Sequence, residues 1–548
     1  MRWAILLALA ACSVGPPGPS LDVDRELAHI TALVAIGPRP ADSAAARKAA
    51  SYIRTALAPI PLETTPVGDV DLPAIEVLGA TFRPAQRVHV DDPDLVARFG
   101  PTGKAVLLMA HYDTVPGAPG AIDDGASVGL LIELARELHA HPPAQPVMIA
   151  FTADEEGGLV GAEALAARHG DEVELAIALD MIGGSGPLIL NGASQRIGLV
   201  EMTWLARAAD RAGVTVTAPL PHRVVSRWWP QAERADHGVF TRRGIRAFHL
   251  YNRGQDGLWI DTAYHSPRDV LARVDRASLD EMSRLARELV AVPPPPPNGD
   301  GFWLPLATNT VVPRWCLLAA DVALALLGLL GVGALAVSGR AAGRARGAGI
   351  WLALVCFAVA GAAAAFANHP IDLDPARISL ANVARQLAAT SLIMIGVLGL
   401  ATRVIARRLP WIGAGRYLGL ASVPLLVVGL AWFSVGGAEL AWIWLAPAAV
   451  LAIAPRLPRV LGLVAALFAL LPAALVLRPN QVLEAAWNGF FPPGVPLAIW
   501  FALLAGPALA ALAWWWRSRP TRGPLGTLVL PVGCGLSVMV GLLLEFAR

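Results

Sequence analysis

The chain has 548 residues, 44 Lys plus Arg against 42 Asp plus Glu, and a formal net charge of +2. That balance gives no net basic excess, and a mean hydropathy of +0.53 is too high for a wholly soluble protein of this size. The average hides two unlike halves: residues 20–300 carry nearly all the acids and most of the histidines, whereas from about Val311 the chain is rich in Leu, Ala, Val and Trp. Cys12, Cys316, Cys356 and Cys534 all lie outside the acidic half, which excludes a disulfide framework or a thiolate metal site there. Lys48 and Lys104 are the only lysines, an arginine bias of the kind GC-rich bacterial coding produces.

The first 20 residues place one arginine before a short apolar stretch and Leu9-Ala10-Ala11-Cys12. This resembles a bacterial lipoprotein signal with Cys12 as the lipidated residue, or else an ordinary signal peptide or uncleaved anchor; each addresses the chain out of the cytoplasm. Leu21–Leu57 reads as two helices around a turn at Gly37-Pro38-Arg39-Pro40. Strand character follows at Ala74–Leu78, Arg87–Val90, Ala105–Ala110, Val147–Thr152, Leu175–Asp180 and Ala247–Leu250. Helical periodicity marks Ser127–His139, Ala162–Arg168, Ile197–Ala212 and Ala277–Val292. Strands alternating with helices imply an α/β domain over 21–292 whose sheet is largely parallel and covered on both faces.

Pro293–Pro297 begins a proline-rich linker, 293–312, that would be stiff and extended. Beyond it, 313–548 reads as an all-α polytopic transmembrane domain. Eight apolar spans fall near 316–337, 350–367, 387–402, 418–435, 440–454, 460–477, 497–516 and 525–544. Arginines follow the first, third, fifth and seventh spans, as at Arg340, Arg403, Arg456 and Arg517. Basic loops stay in the cytoplasm, so this alternation puts residues 20–310 outside, in agreement with the export signal.

The chemistry gathers at strand ends. His111 and Asp113 lie in AHYDT, Asp123 and Asp124 in GAIDDGAS, Glu155 and Glu156 in ADEEGG, Asp180 in LDMIGG and His265 in YHSPRD. Loops at the carboxyl ends of strands in an open α/β sheet converge on one crevice. That many carboxylates need positive charge, and mixed imidazole and carboxylate donors suit Zn²⁺. Each stretch alone has a plain structural explanation, such as a helix cap or a solvated turn. Their joint occurrence at successive strand–loop junctions points to a metal site.

These stretches resemble the co-catalytic zinc aminopeptidases, family twenty-eight of the metallopeptidases, over roughly residues 25–290. A soluble domain followed by many spans further resembles the membrane-bound branch, with its endoplasmic-reticulum metallopeptidase and vacuolar membrane protease types. The resemblance implies a zinc-exopeptidase-like three-layer α/β/α sandwich with two zinc ions per chain bridged by one aspartate and one water. Residue by residue it implies His111, Asp123, Glu156, Asp180 and His265 as metal ligands. Asp113 would orient His111, and Glu155 would be the general base. The family's bridging carboxylate follows Gly-Ala-x and precedes the helix glutamate by ten residues, so Gly120-Ala121-Ile122 and Glu133 select Asp123 over Asp124. Asp236-His237 resembles a Ser-Asp-His-x-x-Phe stretch with Ala235 at the serine; it borders the substrate pocket or is a structural turn. Arg227-Trp228-Trp229 carries no assigned role.

The implied activity is removal of N-terminal residues from peptides with a free N-terminus. The partners expected are that peptide and the bilayer, with no nucleic acid. The implied location is the bacterial inner membrane, multi-pass, with the catalytic domain on the periplasmic or extracellular side. Two rivals are a glutaminyl cyclase-like zinc aminoacyltransferase and a transporter with a regulatory peptidase-like domain. Ion-coupled transport needs ionisable groups in the spans, and Asp321 is nearly alone there.

Overall fold

Helix α1 (Val23–Ile36) begins where the side chain of Asp22 accepts the N–H of Arg25, and α2 (Ala44–Ala56) where Ser43 accepts that of Ala46. In chain order the first unit continues with β1 (Leu62–Leu72), β2 (Ile75–Val77), β3 (Ala80–Arg83), β4 (Gln86–Phe99), β5 (Ala105–His111), α3 (Ala126–Ala140), β6 (Val147–Thr152), α4 (Val160–His169) and β7 (Val173–Leu179). Then come β8 (Leu188–Asn191), α5 (Leu199–Ala212), β9 (Val216–Thr217), α6 (His237–Arg242), β10 (Ala247–Asn252), α7 (Arg276–Ala291), β11 (Gly301–Trp303) and β12 (Val311–Pro313). This computed structural model describes residues 19–77, 80–191, 198–218, 233–254, 263–296, 301–303, 309–337 and 438–453, with isolated positions between 422 and 434.

Eight strands form one mixed sheet in the order β1-β4-β6-β5-β7-β10-β8-β9. The pairs β5–β6, β5–β7, β7–β10 and β8–β9 are parallel, whereas β1–β4, β4–β6 and β8–β10 are antiparallel. The sequence leads one to expect a more parallel sheet, and the difference has a physical cause. β5, β6, β7 and β10 lie in the interior of the sheet and are buried along nearly their whole length; β5, β6 and Leu175–Leu179 of β7 read as apolar runs, while β10 also buries His249 and Asn252. β1 is an edge strand buried only at Val67, Val70 and Leu72, so its Thr, Pro and Asp residues give no apolar run. The expected strand at 74–78 becomes β2, paired with β3 in a separate small sheet, and the one at 87–90 is part of the longer β4.

Successive residues of β5 serve opposite faces. Val106, Leu108 and Ala110 join a core with α1, α2, α3, α5 and α7; Ala105, Leu107 and Met109 join a second core with α4 and α6. Helices on both faces of one sheet make three layers. The spacer is bound to this unit where it is described. Trp204 Nε1 donates to Val292 O at 3.0 Å, Arg246 Nη1 to Pro295 O at 2.9 Å, and Asn309 exchanges hydrogen bonds with Val216. Pro297 lies outside the described residues.

The chain divides into two compact units, Met1–Pro313 and Arg314–Arg548. In the second, α8 (Arg314–Val337) and α9 (Ala438–Ile453) are described. Among the described residues one segment, Arg314–Gly331, is long and apolar enough to cross a membrane, and Ala441–Ile453 is a shorter apolar helix. Trp315, Leu326 and Leu330 are each more than half exposed. The two helices touch where α8 lacks side chains: a Cβ on Gly331 would stand 2.5 Å from Ala452 Cβ. Of the eight expected spans, the first and fifth fall on these helices and the fourth is described at scattered positions. The other five, the arginines at 340, 403, 456 and 517, the signal stretch through residue 18 and Arg227-Trp228-Trp229 lie outside the described residues.

Candidate metal centre

The parallel neighbours β6, β5 and β7 end side by side, and each end delivers an acid or an imidazole. His111 closes β5, Glu155 and Glu156 follow β6, and Asp180 follows β7. Asp123 comes from the turn Ala121–Gly125 ahead of α3, where the Asp123–Asp124 peptide is cis. His265 comes from the loop between β10 and α7. Several non-glycine residues at these junctions adopt left-handed backbone: Asp154 at φ 54°, Met181 at 59° and His265 itself at 52°. Such conformations cost energy and persist where the surroundings over-determine them.

The donor atoms fall into two groups. Those of His111, Asp123 and Asp180 lie within 4.8 Å of one another, as do those of Asp123, Glu156 and His265. Asp123 belongs to both, Oδ1 lying 3.2 Å from His111 Nε2 and Oδ2 3.3 Å from His265 Nε2. His265 Nε2 is also 2.9 Å from Glu156 Oε2, and His111 Nε2 is 3.8 Å from Asp180 Oδ1. Glu155 and Asp124 stand in neither group. Asp124 instead uses Oδ1 to accept the N–H of Met181, next to Asp180.

Asp113 faces His111 Nδ1 at 3.5 Å and accepts the backbone amides of Glu155 at 3.1 Å and Glu156 at 3.2 Å. Tyr264 stacks on His265 with ring centroids 3.6 Å apart. Asp236 and His237 do not reach the donor groups. Asp236 is 2% exposed and accepts Thr152 Oγ1 at 2.5 Å; His237 is fully buried, 3.3 Å from Glu233 and stacked on His249.

The electrostatics call for positive charge at these atoms. Burial, then Asp180 and Glu156, push Glu155 well above the usual carboxyl range, and burial with Asp123 raises Glu156 to about 7. Burial pulls both imidazoles down, yet the flanking carboxylates prevail. Asp113, Asp123 and Asp180 hold His111 well above its ordinary value, and Asp123 and Glu156 push His265 to about 10. His111 Nε2, His265 Nε2 and Glu156 Oε1 are buried without a hydrogen-bond partner of good geometry. Buried polar atoms are ordinarily satisfied, so these converging donors fit a metal ion, and imidazole with carboxylate fits zinc.

Residues 94–290 match the family model described as Peptidase family M28. This segment is a peptidase M28 domain. Over 197 residues the chain is 27% identical to aminopeptidase YwaD of Bacillus subtilis (strain 168), covering 34% of this chain and 40% of that protein. It is 24% identical over 222 residues to the vacuolar membrane protease of Yarrowia lipolytica, covering 39% and 21%. The chain thus spans two fifths or less of the curated relatives it matches. Among solved structures, an aminopeptidase from Aneurinibacillus sp. strain AM-1 aligns at TM-score 0.41 and 17% identity over 51% of this chain and 96% of that one. A Bacteroides thetaiotaomicron glutaminyl cyclase bound to N-acetylhistamine aligns at TM-score 0.39 and 18% identity over 50% and 98%.

Two residues of the M28 domain's centre escape a reading by motif. Arg39 sits in the turn between α1 and α2 with no exposed surface, and Asp269, four residues past His265, is 2% exposed. Both grip the turn that carries Asp123. The quoted stretch YHSPRD ends on Asp269, but nothing local distinguishes that aspartate from a helix-loop residue.

Proposed function

We propose that the chain is a zinc-dependent aminopeptidase held in a membrane by its second unit. The observation that carries the reading is the pair of donor groups sharing Asp123, with Glu155 beside them and in neither. His111, Asp123 and Asp180 would hold one zinc ion, and Asp123, Glu156 and His265 the other. Zinc at these donors, when bound, supplies positive charge that offsets the acids and polarises water and the scissile carbonyl.

The chain's own residues do the rest. Asp113 faces the ring nitrogen of His111 that points away from the donors and fixes the orientation of that ring. Through the amides of Glu155 and Glu156 it also fixes the loop that carries ligand and base together. Glu155 takes the proton of the attacking water and passes it to the leaving amine. The buried Asp236 accepts Thr152 Oγ1 and so steadies the end of β6, while His237 packs by Glu233 and His249.

The apolar helix α8, the sequence beyond it and the similarity to vacuolar membrane proteases support membrane attachment. The proposal divides the chain into an export signal (1–20), the peptidase domain (21–292), a linker (293–312) and a polytopic bacterial inner-membrane domain (313–548), with catalysis on the outer side. Metal analysis of the purified full chain with a panel of aminoacyl anilides tests it. About two zinc ions per chain and anilide hydrolysis, lost on chelation and regained with zinc, are expected. Cyclisation of an N-terminal Gln peptide without anilide hydrolysis would overturn it in favour of a cyclase.

A further inference from the structure

Asp123 is the one residue common to both donor groups, so the turn that presents it must be set more accurately than any other. Its backbone is gripped from two sides by opposite charges. Ahead of Asp123, the guanidinium of Arg39 donates from Nη1 to Pro119 O at 2.7 Å and from Nη2 to Gly120 O at 3.1 Å. From the other side the carboxylate of Asp269 accepts the N–H of Ile122 on Oδ1 at 2.9 Å and that of Asp123 on Oδ2 at 3.1 Å. The N–H of Ala121 donates to the backbone carbonyl of Asp269 at 3.3 Å. Across residues 119–123, two carbonyls are thus held by a cation, two amides by an anion, and the amide of Ala121 by a backbone carbonyl.

The remaining donors of Arg39 are also used. Nε donates to Tyr112 O at 3.0 Å, between His111 and Asp113, and Nη1 reaches Leu33 O and Gly37 O. Its backbone N–H donates to Thr114 Oγ1 at 2.8 Å. One buried cation therefore ties the β5 exit, which carries His111, to the turn that carries Asp123. Asp269 belongs to the loop of His265 and ties that loop to the same turn. The turn leaves little room for error: Gly120 has φ +65°, and a Cβ there would lie 2.3 Å from Thr114 Cγ2 and 2.7 Å from Arg39 Nη2.

We propose that Arg39 and Asp269 are positioning residues, a cation–anion clamp that sets Asp123 midway between His111 and His265. The inference rests on the zinc reading above and adds to it residues that touch no metal. A planar guanidinium with five fixed donors suits several carbonyls at once, which a lysine ammonium cannot match. Asn at 269 keeps one acceptor oxygen but turns a donor toward the second amide.

The test uses purified full-length Asp269→Asn and Arg39→Lys beside wild type. Zinc affinity is measured by competition with a chelating dye, apo-state melting by circular dichroism, and coordination by the visible absorption of the cobalt-loaded protein. Residues that orient metal ligands typically contribute 10- to 100-fold in affinity, so a loss of about that size is expected in a variant that still folds. An altered cobalt spectrum should accompany it. Folded variants with zinc affinity within about twofold of wild type and an unchanged cobalt spectrum would overturn the clamp, even with lowered apo melting, because they would show a purely structural role. Should Arg39→Lys not fold, the near-isosteric Asp269→Asn decides alone. A wild-type chain that takes up no zinc would count against the zinc reading itself and remove the clamp's purpose with it.

Discussion

Asp113 accepts the backbone N–H of Glu155 at 3.1 Å while its same oxygen faces His111 Nδ1 at 3.5 Å. One carboxylate thereby fixes an imidazole at the end of β5 and the loop after β6. Asp113→Asn has only one acceptor oxygen for three donors. The variant is expected to fold and to lose about 10- to 100-fold in zinc affinity or turnover, read by dye competition and anilide hydrolysis. Unchanged values in both would remove Asp113 from any orienting role.

The adjacent glutamates should fail differently. Glu155→Gln is expected to lower kcat by about 10²–10⁴-fold with the metal content intact, as loss of a general base does. Glu156→Gln removes a donor from one group only and is expected to leave about one zinc per chain instead of two. Metal-to-protein ratios by atomic emission, set against kcat, separate the two. The reverse pattern would exchange their roles.

Glu26 gives a pH dependence of stability away from the centre. It lies on α1 with no exposed surface, accepts Ser283 Oγ of α7 at 2.5 Å, and has Glu133, Asp22 and Arg276 as its charged neighbours. Burial foremost pushes its carboxyl from 4.5 to about 7. An acid raised on folding binds its proton more tightly in the folded state, so stability falls as pH rises between those values. Glu26→Gln keeps the acceptor for Ser283 and removes the charge. It should melt like wild type below about pH 4.5 and be more stable above pH 7, by on the order of 3 kcal/mol at most. Asp94, raised to about 8 chiefly by burial, acts in the same direction in both proteins and cancels in the difference. Melting curves of the two proteins across pH 4–9 check this, and a constant difference would refute it.

In the second unit, Gly331 is a point of close contact of α8 with α9. A valine there drives its Cβ into Ala452, and overpacking of this kind costs about 1–3 kcal/mol. Gly331→Val is expected to lower the melting temperature of the detergent-solubilised chain, whereas Leu330→Val, at an exposed position, should change it little. Equal effects of the two would mean that the helices do not meet at this glycine.

Membrane orientation is tested with a cysteine at Ala342, in a background whose four native cysteines are serine. A membrane-impermeant maleimide should label it only after the cells are permeabilised, because the proposed topology puts the arginines around it in a cytoplasmic loop. Labelling of intact cells would invert the topology.

What could be read from the sequence follows from how local the physics is. β5, β6 and β7 declare themselves because burial on both faces demands long apolar runs, and β10 does so through a shorter stretch interrupted at His249. β1 does not, since an edge strand with Pro66 and Gly68 satisfies its pattern only in the folded sheet. His111, Glu155, Glu156 and Asp180 are legible because each sits where an apolar run stops, and Asp123 because it leads into a helix. Arg39 and Asp269 are not, because their partners are set by the fold: Arg39 reaches Gly120 across 81 residues and Asp269 reaches Ile122 across 147. Asp236-His237 matches a motif, yet its side chains turn inward to Thr152 and Glu233.

The sharing of Asp123 has a genetic consequence. Among the described donors, substitution at His111, Asp180, Glu156 or His265 touches one group, while substitution at Asp123 touches both. Its carboxylate contributes little to the apolar core, so a chain that lost it would still fold and pass for a working relative in every other motif. Position 123 is therefore the letter at which one change should disable both donor groups at once.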